Sequence, residues 1–383
     1  MTLAPWCAAL PWLLGPLAVL LRLRDSRFLR EYAPAPREGT PRVSVIIPAR
    51  DEARNIARCL GSLRETALTD IEFIVVDDHS TDDTAAIARA TAAGDPRVRI
   101  TTPPPLPPDW FGKQWACQHG ASLASGTYLL FTDADTWHSP DALPRAIAAL
   151  EAREADLLSV AGEQELGSFW EKVVQPVMFL ALFAWFGGME AVSRTTDPRR
   201  KIANGQYILV RRETYEAMQG HAPVRGYVAE DLMLAQRWTA DGRRVHLVVG
   251  QDQLRVRMYQ SLREIAAGWG KNIWAGGRHL AGPTWAWPLL RLLLPLAPLV
   301  GALPLLLLLA GLVGLLSPWW TSVGAWATLY QTGVWLPLYA FTRLRPGWAL
   351  LYPLGCLVTA GIFARAAWRG ARTEWKGRSY TSA

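Results

Sequence analysis

Residues 128–136, Tyr-Leu-Leu-Phe-Thr-Asp-Ala-Asp-Thr, constrain this chain more than any other stretch. They read as an apolar strand that ends in two carboxylates. Side chains alternate along a strand, so Asp133 and Asp135 are expected on the same side of it. Two carboxylates held that close repel each other unless a cation sits between them. A divalent metal with oxygen ligands meets that need, and such a metal usually holds a substrate phosphate too. A bare Asp-x-Asp is more often a solvated loop, so the other strands decide.

Apolar strands are predicted over residues 42–48, 71–78, 98–101, 156–161 and 206–210. Helical patterns over 53–63, 82–93 and 113–124 separate the first of them. Near-continuous apolar strands alternating with helices indicate an α/β unit, a parallel sheet covered on both faces. Ligands bind such sheets at the carboxyl ends of the strands. Pro48, Asp78, Asp133 and Asp135 all fall there, so three strands deliver distinctive residues to one edge. Asp82 and Asp83 suit the first turn of a helix, with Ser80 or Thr81 as its cap, and receive no chemistry. Asp77 would face away from Asp78. Gly112–Lys113 opens a helix and suits a phosphate. It is not a P-loop, because the first glycine is missing and Gln114 replaces the Ser/Thr. Glu230 and Asp231 open a further helix that runs to Ala240. They are either acids complementing the helix dipole or a catalytic pair. Short strands are predicted over 245–249 and 253–257.

The ends of the chain have a different character. Half of the residues are hydrophobic, and the surplus lies at the two termini. Residues 3–21 carry no charge and are followed by Arg22, Arg24, Arg27 and Arg30. That order predicts a membrane anchor over 1–30 with the following domain on the cytoplasmic side of the cell membrane. Residues 285–340 and 348–364 are almost wholly apolar, and three spans are expected there, within a C-terminal region 284–383 that ends in a basic tail. Eleven of the 19 tryptophans lie from Trp269 onward, where membrane interfaces would favour them. Residues 173–189 are apolar but short and contain Pro176. A single crossing there would put Asp133 and Asp231 on opposite sides of the membrane. An interfacial helix or lid over 168–190, within a catalytic domain 41–280, is therefore expected. The net charge of +7 comes mostly from arginines that flank apolar ends, which fits a membrane surface and not a nucleic acid. The four scattered cysteines form no zinc or disulfide pattern.

Four motifs, in this order and spacing, resemble glycosyltransferase family 2, enzymes of the GT-A fold that use nucleotide sugars. They are Val-Ile-Ile-Pro-Ala-Arg-Asp-Glu at 45–52, Val-Val-Asp-Asp-His-Ser at 75–80, Phe-Thr-Asp-Ala-Asp at 131–135, and Glu230–Asp231. Residues 109–116 and 258–272 are similar, more narrowly, to membrane glycosyltransferases of carotenoid and hopanoid biosynthesis. The resemblance implies a nucleotide-sugar site made of Pro48, Ala49, Glu52, Asp78, Lys113, Asp133 and Ala134, with Asp78 reading the base. It implies a divalent metal, Mg2+ or Mn2+, on Asp135, and Asp231 as general base. Glu230, Trp269 and Lys271 are expected on the acceptor side, and a UDP-sugar is the expected donor. The sequence departs from the family in placing Asp51 where Asn is usual. The Gln-x-x-Arg-Trp motif of processive synthases is incomplete, because Glu264 follows Gln260–Arg263.

These parts suit an inverting displacement. A metal neutralises the leaving diphosphate, and Asp231 accepts the proton of an incoming hydroxyl on a membrane-embedded, isoprenoid-type lipid. A polyprenyl phosphate acceptor would need no base. A processive polysaccharide synthase and a catalytically silent membrane protein are the further alternatives. Silence is disfavoured by carboxylates retained at the strand ends.

Overall fold

The computed structural model describes residues 3–23, 25–36, 39, 41–280, 286–369, 372–375 and 378–381. Arg24 and Trp285, the first residue of the apolar run 285–340, lie outside the described residues. The chain forms two compact units, each assembled from separate stretches.

The first unit comprises residues 26–165, 189–258 and 372–383. Its eight-stranded sheet contains β1 (Val43–Ala49), β2 (Ile71–Asp77), β3 (Val98–Thr101), β4 (Tyr128–Thr132), β5 (Thr136–His138), β6 (Leu157–Gln164), β7 (Tyr207–Arg211) and β8 (Val245–Val256), in the order β3-β2-β1-β4-β7-β6-β8-β5. β3, β2, β1 and β4 run parallel. Alternate residues of each strand enter opposite cores. Val45, Ile47, Val75 and Leu130 pack on one face. Ile46, Ile74, Leu129 and Phe131 pack on the other. That alternation leaves the strands buried on both sides, as their apolar sequence requires. The chain moves from β1 outward to β3 and then crosses back to β4 on the far side of β1. The crevice at the carboxyl ends of β1 and β4 is thus the switch point where α/β sheets bind ligands.

The sheet is mixed and not all-parallel as expected. β7 runs antiparallel to both β4 and β6, with Tyr207 opposite Thr132. An antiparallel β7 begins beside the end of β4, so residues 204–206 arrive at the carboxyl edge. Two further expectations are corrected. β4 stops at Thr132, so Asp133 and Asp135 sit in a turn, and the short β5 follows to pair with β8. The strands expected over 245–249 and 253–257 are one strand, β8, with Asp252 at φ 71°.

The second unit holds the apolar ends: residues 1–25, 166–188 and 259–371. The stretch expected as one N-terminal span is broken into helices Pro5–Ala8 and Pro11–Leu23. The longer is about 20 Å at 1.5 Å per residue, short of a bilayer core. Among the described residues, three stretches are long and apolar enough to cross a membrane: Phe169–Arg194, Trp287–Leu312 and Pro346–Arg369. The first contains the helix Phe169–Phe186, which lies within the bounds 168–190 expected of an interfacial helix. Ser168 starts its helix ahead of the apolar run, accepting from the Glu171 N–H while Glu171 accepts from the Ser168 N–H, a capping box. The helix Pro318–Phe341 lies between the other two. Gly355 on the helix Tyr352–Arg369 meets the backbone carbonyl of Val173, an approach that a Cβ would block. Small residues at such crossings are how helices pack where no hydrophobic drive separates protein from lipid.

Candidate active site

Lys113, in the first turn of the helix Gly112–Leu123, organises the carboxyl edge. Its Nζ lies 2.7 Å from Asp133 Oδ1 and 2.8 Å from Glu230 Oε1. Burial works against the ammonium, but Asp133 and Glu230 outweigh it and hold Lys113 well above the usual lysine value. Asp133 is drawn both ways. Burial pushes its carboxyl up, the Lys113 contact pulls it down, and Glu230 and Glu52 tip the balance upward.

Asp231 begins the helix Glu230–Ala240 beside this pair. Its Oδ2 accepts from the Gly205 N–H at 2.8 Å, and its Oδ1 accepts from the Leu232 N–H at 2.8 Å. Burial, then the Glu230 charge, raises its carboxyl to about 6 against the opposing pull of Lys113 and the two N–H donors. A Cβ built on Gly205 would meet Asp231 Oδ2 at 3.0 Å and Lys113 Nζ at 3.2 Å. Any larger residue at 205 would push these two side chains back by a few tenths of an ångström.

The Asp133–Asp135 turn is held from beneath. The Thr136 hydroxyl donates to the Asp133 carbonyl at 2.7 Å, and the Thr132 hydroxyl donates to the Gln206 carbonyl at 2.9 Å. His138 Nε2 lies 3.0 and 3.2 Å from those two hydroxyls, which leaves it as the donor to their oxygens. Burial pushes this imidazole down to about 3, so the ring is neutral. Cys59 Sγ points at the same Asp133 carbonyl, and burial pushes its thiol up to about 12. It is a packing group, not a nucleophile.

Asp135 is the least satisfied member of the set. Its Oδ1 is buried without a hydrogen-bond partner. Burial, then Asp133 and Glu52, drives its carboxyl well above the ordinary range. Among the described residues, no three His, Cys, Asp or Glu side chains converge as a ready-made metal site. One or two carboxylates completed by substrate phosphate oxygens is nevertheless the usual arrangement for Mg2+. An orphaned carboxylate oxygen among like charges fits that role.

At the ends of β1 and β2, Pro48 and Ala49 finish β1, with Ala49 opposite Asp77. The Asp78 N–H donates to the Ala49 carbonyl at 2.8 Å. Asp51 has φ 52° and accepts from the Thr81 N–H at 2.7 Å, tying the loops after β1 and β2 together. That is the work of the residue where the family usually has Asn, and Asp tolerates the left-handed backbone nearly as well. Ser80 Oγ accepts from the Asp51 N–H, so Ser80 serves this tie and not the next helix. Asp82, outside that helix, accepts from the Thr84 N–H at 3.0 Å. Glu52 accepts from Asn55 at 2.8 Å. Ala134 is buried in the core under the turn.

Lys113, Asp133 and Glu230 thus meet directly, with Asp231, Glu52 and Asp135 close enough to interact with them electrostatically. Trp269 and Lys271 belong to the helix Leu262–Leu280 of the second unit. The Trp269 N–H donates to Gln175 at 3.2 Å, and its ring meets Phe179 edge-on. The sequence reading missed Gly205 and the Thr132–Thr136–His138 support. Gly205 carries no local motif, because its place depends on β7 reversing direction, and the Thr132–Thr136–His138 contacts depend on the turn that ends β4 at Thr132.

The sequence profile of glycosyl transferase family 2 matches residues 44–218. The chain carries a family 2 glycosyltransferase domain. The match takes in β1 through β7, and the helix that bears Glu230 and Asp231 lies beyond it. The 4,4'-diaponeurosporenoate glycosyltransferase of Staphylococcus aureus strain MRSA252 is 29% identical over 352 residues, 88% of each chain. The protein of the same name from strain USA300 is 30% identical over 240 residues, 61% of each chain. Among solved structures, the fold resembles the mannosyltransferase PcManGT from Pyrobaculum calidifontis, determined in complex with GDP-Man and Mn2+. The TM-score is 0.50 at 21% identity, covering 85% of this chain and 97% of that one. The likeness shows a GT-A fold.

Proposed function

We propose that this family 2 glycosyltransferase moves a sugar, with inversion, from a nucleotide-sugar donor to a hydroxyl of a membrane-embedded isoprenoid-type lipid. The observation that carries the reading is Asp231. It is held by two backbone N–H groups beside Lys113, with a carboxyl raised to about 6. A carboxylate with that affinity is ionised at neutral pH and still a competent proton acceptor.

Pro48, Ala49, Glu52 and Asp78 would line the nucleoside end, with Asp78 accepting from the base and UDP as the expected carrier. Asp133 and Lys113 would flank the sugar diphosphate. Lys113, already balanced between two carboxylates, needs only a small shift to meet a third anion. Asp135 would hold Mg2+ or Mn2+, whose charge offsets that of the departing diphosphate. Asp231 would take the acceptor proton, and Glu230 keeps that carboxyl from ionising too readily. The protein reads as a multi-pass protein of the cell membrane, with the catalytic unit on the cytoplasmic side where Arg22, Arg27 and Arg30 lie. Exposed Trp185, Leu306 and Leu312 on the second unit's helices support a lipid setting.

A second reading concerns the acceptor atom. The curated relatives are named for an isoprenoid carboxylate, a nucleophile that is already ionised. A carboxylate acceptor would make Asp231 dispensable as a base.

The test is transfer by the purified chain in lipid nanodiscs, with Mn2+, a panel of nucleotide sugars and isoprenoid alcohols or acids. A glycolipid product that fails to form with any isoprenoid acceptor, while a soluble acceptor is glycosylated, would overturn the reading.

A further inference from the structure

Asp78 follows β2 at the carboxyl edge, and its side chain is only 3% exposed. Both of its carboxylate oxygens are engaged by a residue 300 positions later in the chain. Arg378 Nη1 donates to Oδ2 at 2.5 Å, and Nη2 donates to Oδ1 at 3.1 Å. This two-pronged pairing is the strong, directional form of the arginine–carboxylate contact. Arg378 opens β10 (Arg378–Thr381), which pairs antiparallel with β9 (Arg372–Trp375) and sets Arg378 opposite Trp375. The hairpin is a sheet of its own and adds no strand to the main sheet.

The backbone of Asp78 does not depend on this partner. Its N–H is bonded to Ala49, and Arg50 Nη1 donates to the carbonyls of Asp78 at 2.5 Å and His79 at 3.1 Å. The carboxylate is therefore built into the edge of the sheet, and the C-terminal hairpin reaches it from elsewhere in the sequence.

We propose that Arg378 is a strap over the nucleoside end of the donor site, holding Asp78 until the donor base replaces it. The inference rests on the reading of Asp78 as the base-recognising carboxylate. Its chemistry is substitution of like for like. Guanidinium presents N–H donors, and so do the pairing edges of uracil and guanine. An enclosed carboxylate with both oxygens engaged cannot serve both partners. Without donor, Arg378 spares the molecule a buried, unpaired charge, which is costly. With donor, the same contact must open, and the apparent affinity falls by the fraction of time the strap is closed.

The experiment uses the full chain in detergent with UDP and Mn2+ as the probe, read by calorimetry. Arg378→Ala is expected to tighten UDP binding roughly three- to tenfold, because the competent state no longer has to be uncovered. Arg378→Lys, a point charge without the fork, is expected to fall between. In an Asp78→Asn background, Arg378→Ala should have no further effect, since the two residues act through one contact. Hydrogen exchange at residues 378–381 should quicken when UDP is added to the wild type. Unchanged or weaker UDP binding by Arg378→Ala, alongside a loss in Asp78→Asn, would overturn the strap and leave the base reading standing. Wild-type binding by Asp78→Asn would overturn the base reading, and the strap with it.

Discussion

The backbone N–H of Gly205 donates to Asp231 Oδ2 at 2.8 Å, and a methyl on Gly205 would meet that oxygen at 3.0 Å. The contact fixes where the proposed base sits relative to Lys113. Gly205 is not in the left-handed region, so alanine is tolerated by the backbone and only the space is lacking. Gly205→Ala should displace Asp231 and Lys113 by a few tenths of an ångström. A loss in kcat of about tenfold is expected, given how steeply rate depends on placement. Circular dichroism should be unchanged. Full activity would show that Asp231 needs no such exact seat.

Lys113 Nζ lies within salt-bridge distance of both Asp133 and Glu230. Lys113→Met would remove the cation that these two carboxylates share. Breaking a buried pair costs about 3–5 kcal/mol, and partial exposure of these side chains places the expected loss nearer 2 kcal/mol. Urea denaturation followed at Trp238, buried in this unit, would measure it. Lys113→Arg should rescue stability only in part, because a planar fork does not fit a site built for a point charge.

Asp135 is expected to trade stability for function. Burial, Asp133 and Glu52 all disfavour its charge, and its Oδ1 has no partner. Asp135→Asn removes the charge and keeps the shape. It should raise Tm by about 2 °C or more, the shift that roughly 1 kcal/mol produces in a domain of this size. Activity should drop about 100-fold, together with its response to added Mn2+, the upper end for losing a metal contact. Full Mn2+ response in this variant would sink the assignment.

The pH dependence follows from the sign of the shifts. Asp231 is raised to about 6, above the roughly 3.9 of an unfolded aspartate. Between those values the folded state binds more protons than the unfolded one, so stability falls as pH rises through that window. Asp133 and Asp135 shift in the same direction and add to the slope. Activity should do the opposite. kcat/KM should climb through an apparent value of about 6 as the base ionises, then level off. A flat profile from pH 5 to 7 would remove Asp231 from the proton transfer.

The local order of this site was legible because each strand carries its own signal. Residues 45–48, 73–76 and 128–132 are apolar runs that stop at Pro48, Asp77 and Asp133, and β1, β2 and β4 lie in parallel register as that pattern requires. What was not legible depends on direction or on distance along the chain. An apolar stretch such as Tyr207–Arg211 reads the same in either sense, so its antiparallel course, and with it the arrival of Gly205, is set by tertiary packing. Arg378 is one basic residue among several in the tail, and nothing near it in sequence points to Asp78. The helix expected over 168–190 is present as Phe169–Phe186, capped by Ser168, because its apolar run is continuous from that cap.

The proposed role of Asp231 as a base depends on the acceptor atom. A hydroxyl must lose a proton as it attacks, so transfer to an isoprenoid alcohol needs a base within reach. A carboxylate attacks as it stands, and the relatives' name specifies such an acceptor. Asp231→Asn keeps an oxygen that can accept from Gly205 or Leu232, so the loop geometry and donor binding should survive. It removes the proton acceptor, worth about 10²–10⁴ in rate. With an isoprenoid alcohol, product formation should fall by that factor, while UDP binding in the presence of Mn2+ stays within about twofold, since the nucleoside end is untouched. With an isoprenoid acid, the same variant should retain most of its rate if that is the natural acceptor. Measuring both acceptors on one preparation separates the readings. Loss confined to the alcohol makes Asp231 a base, and equal loss on both makes it a positioning group for whichever acceptor turns over faster in the wild type.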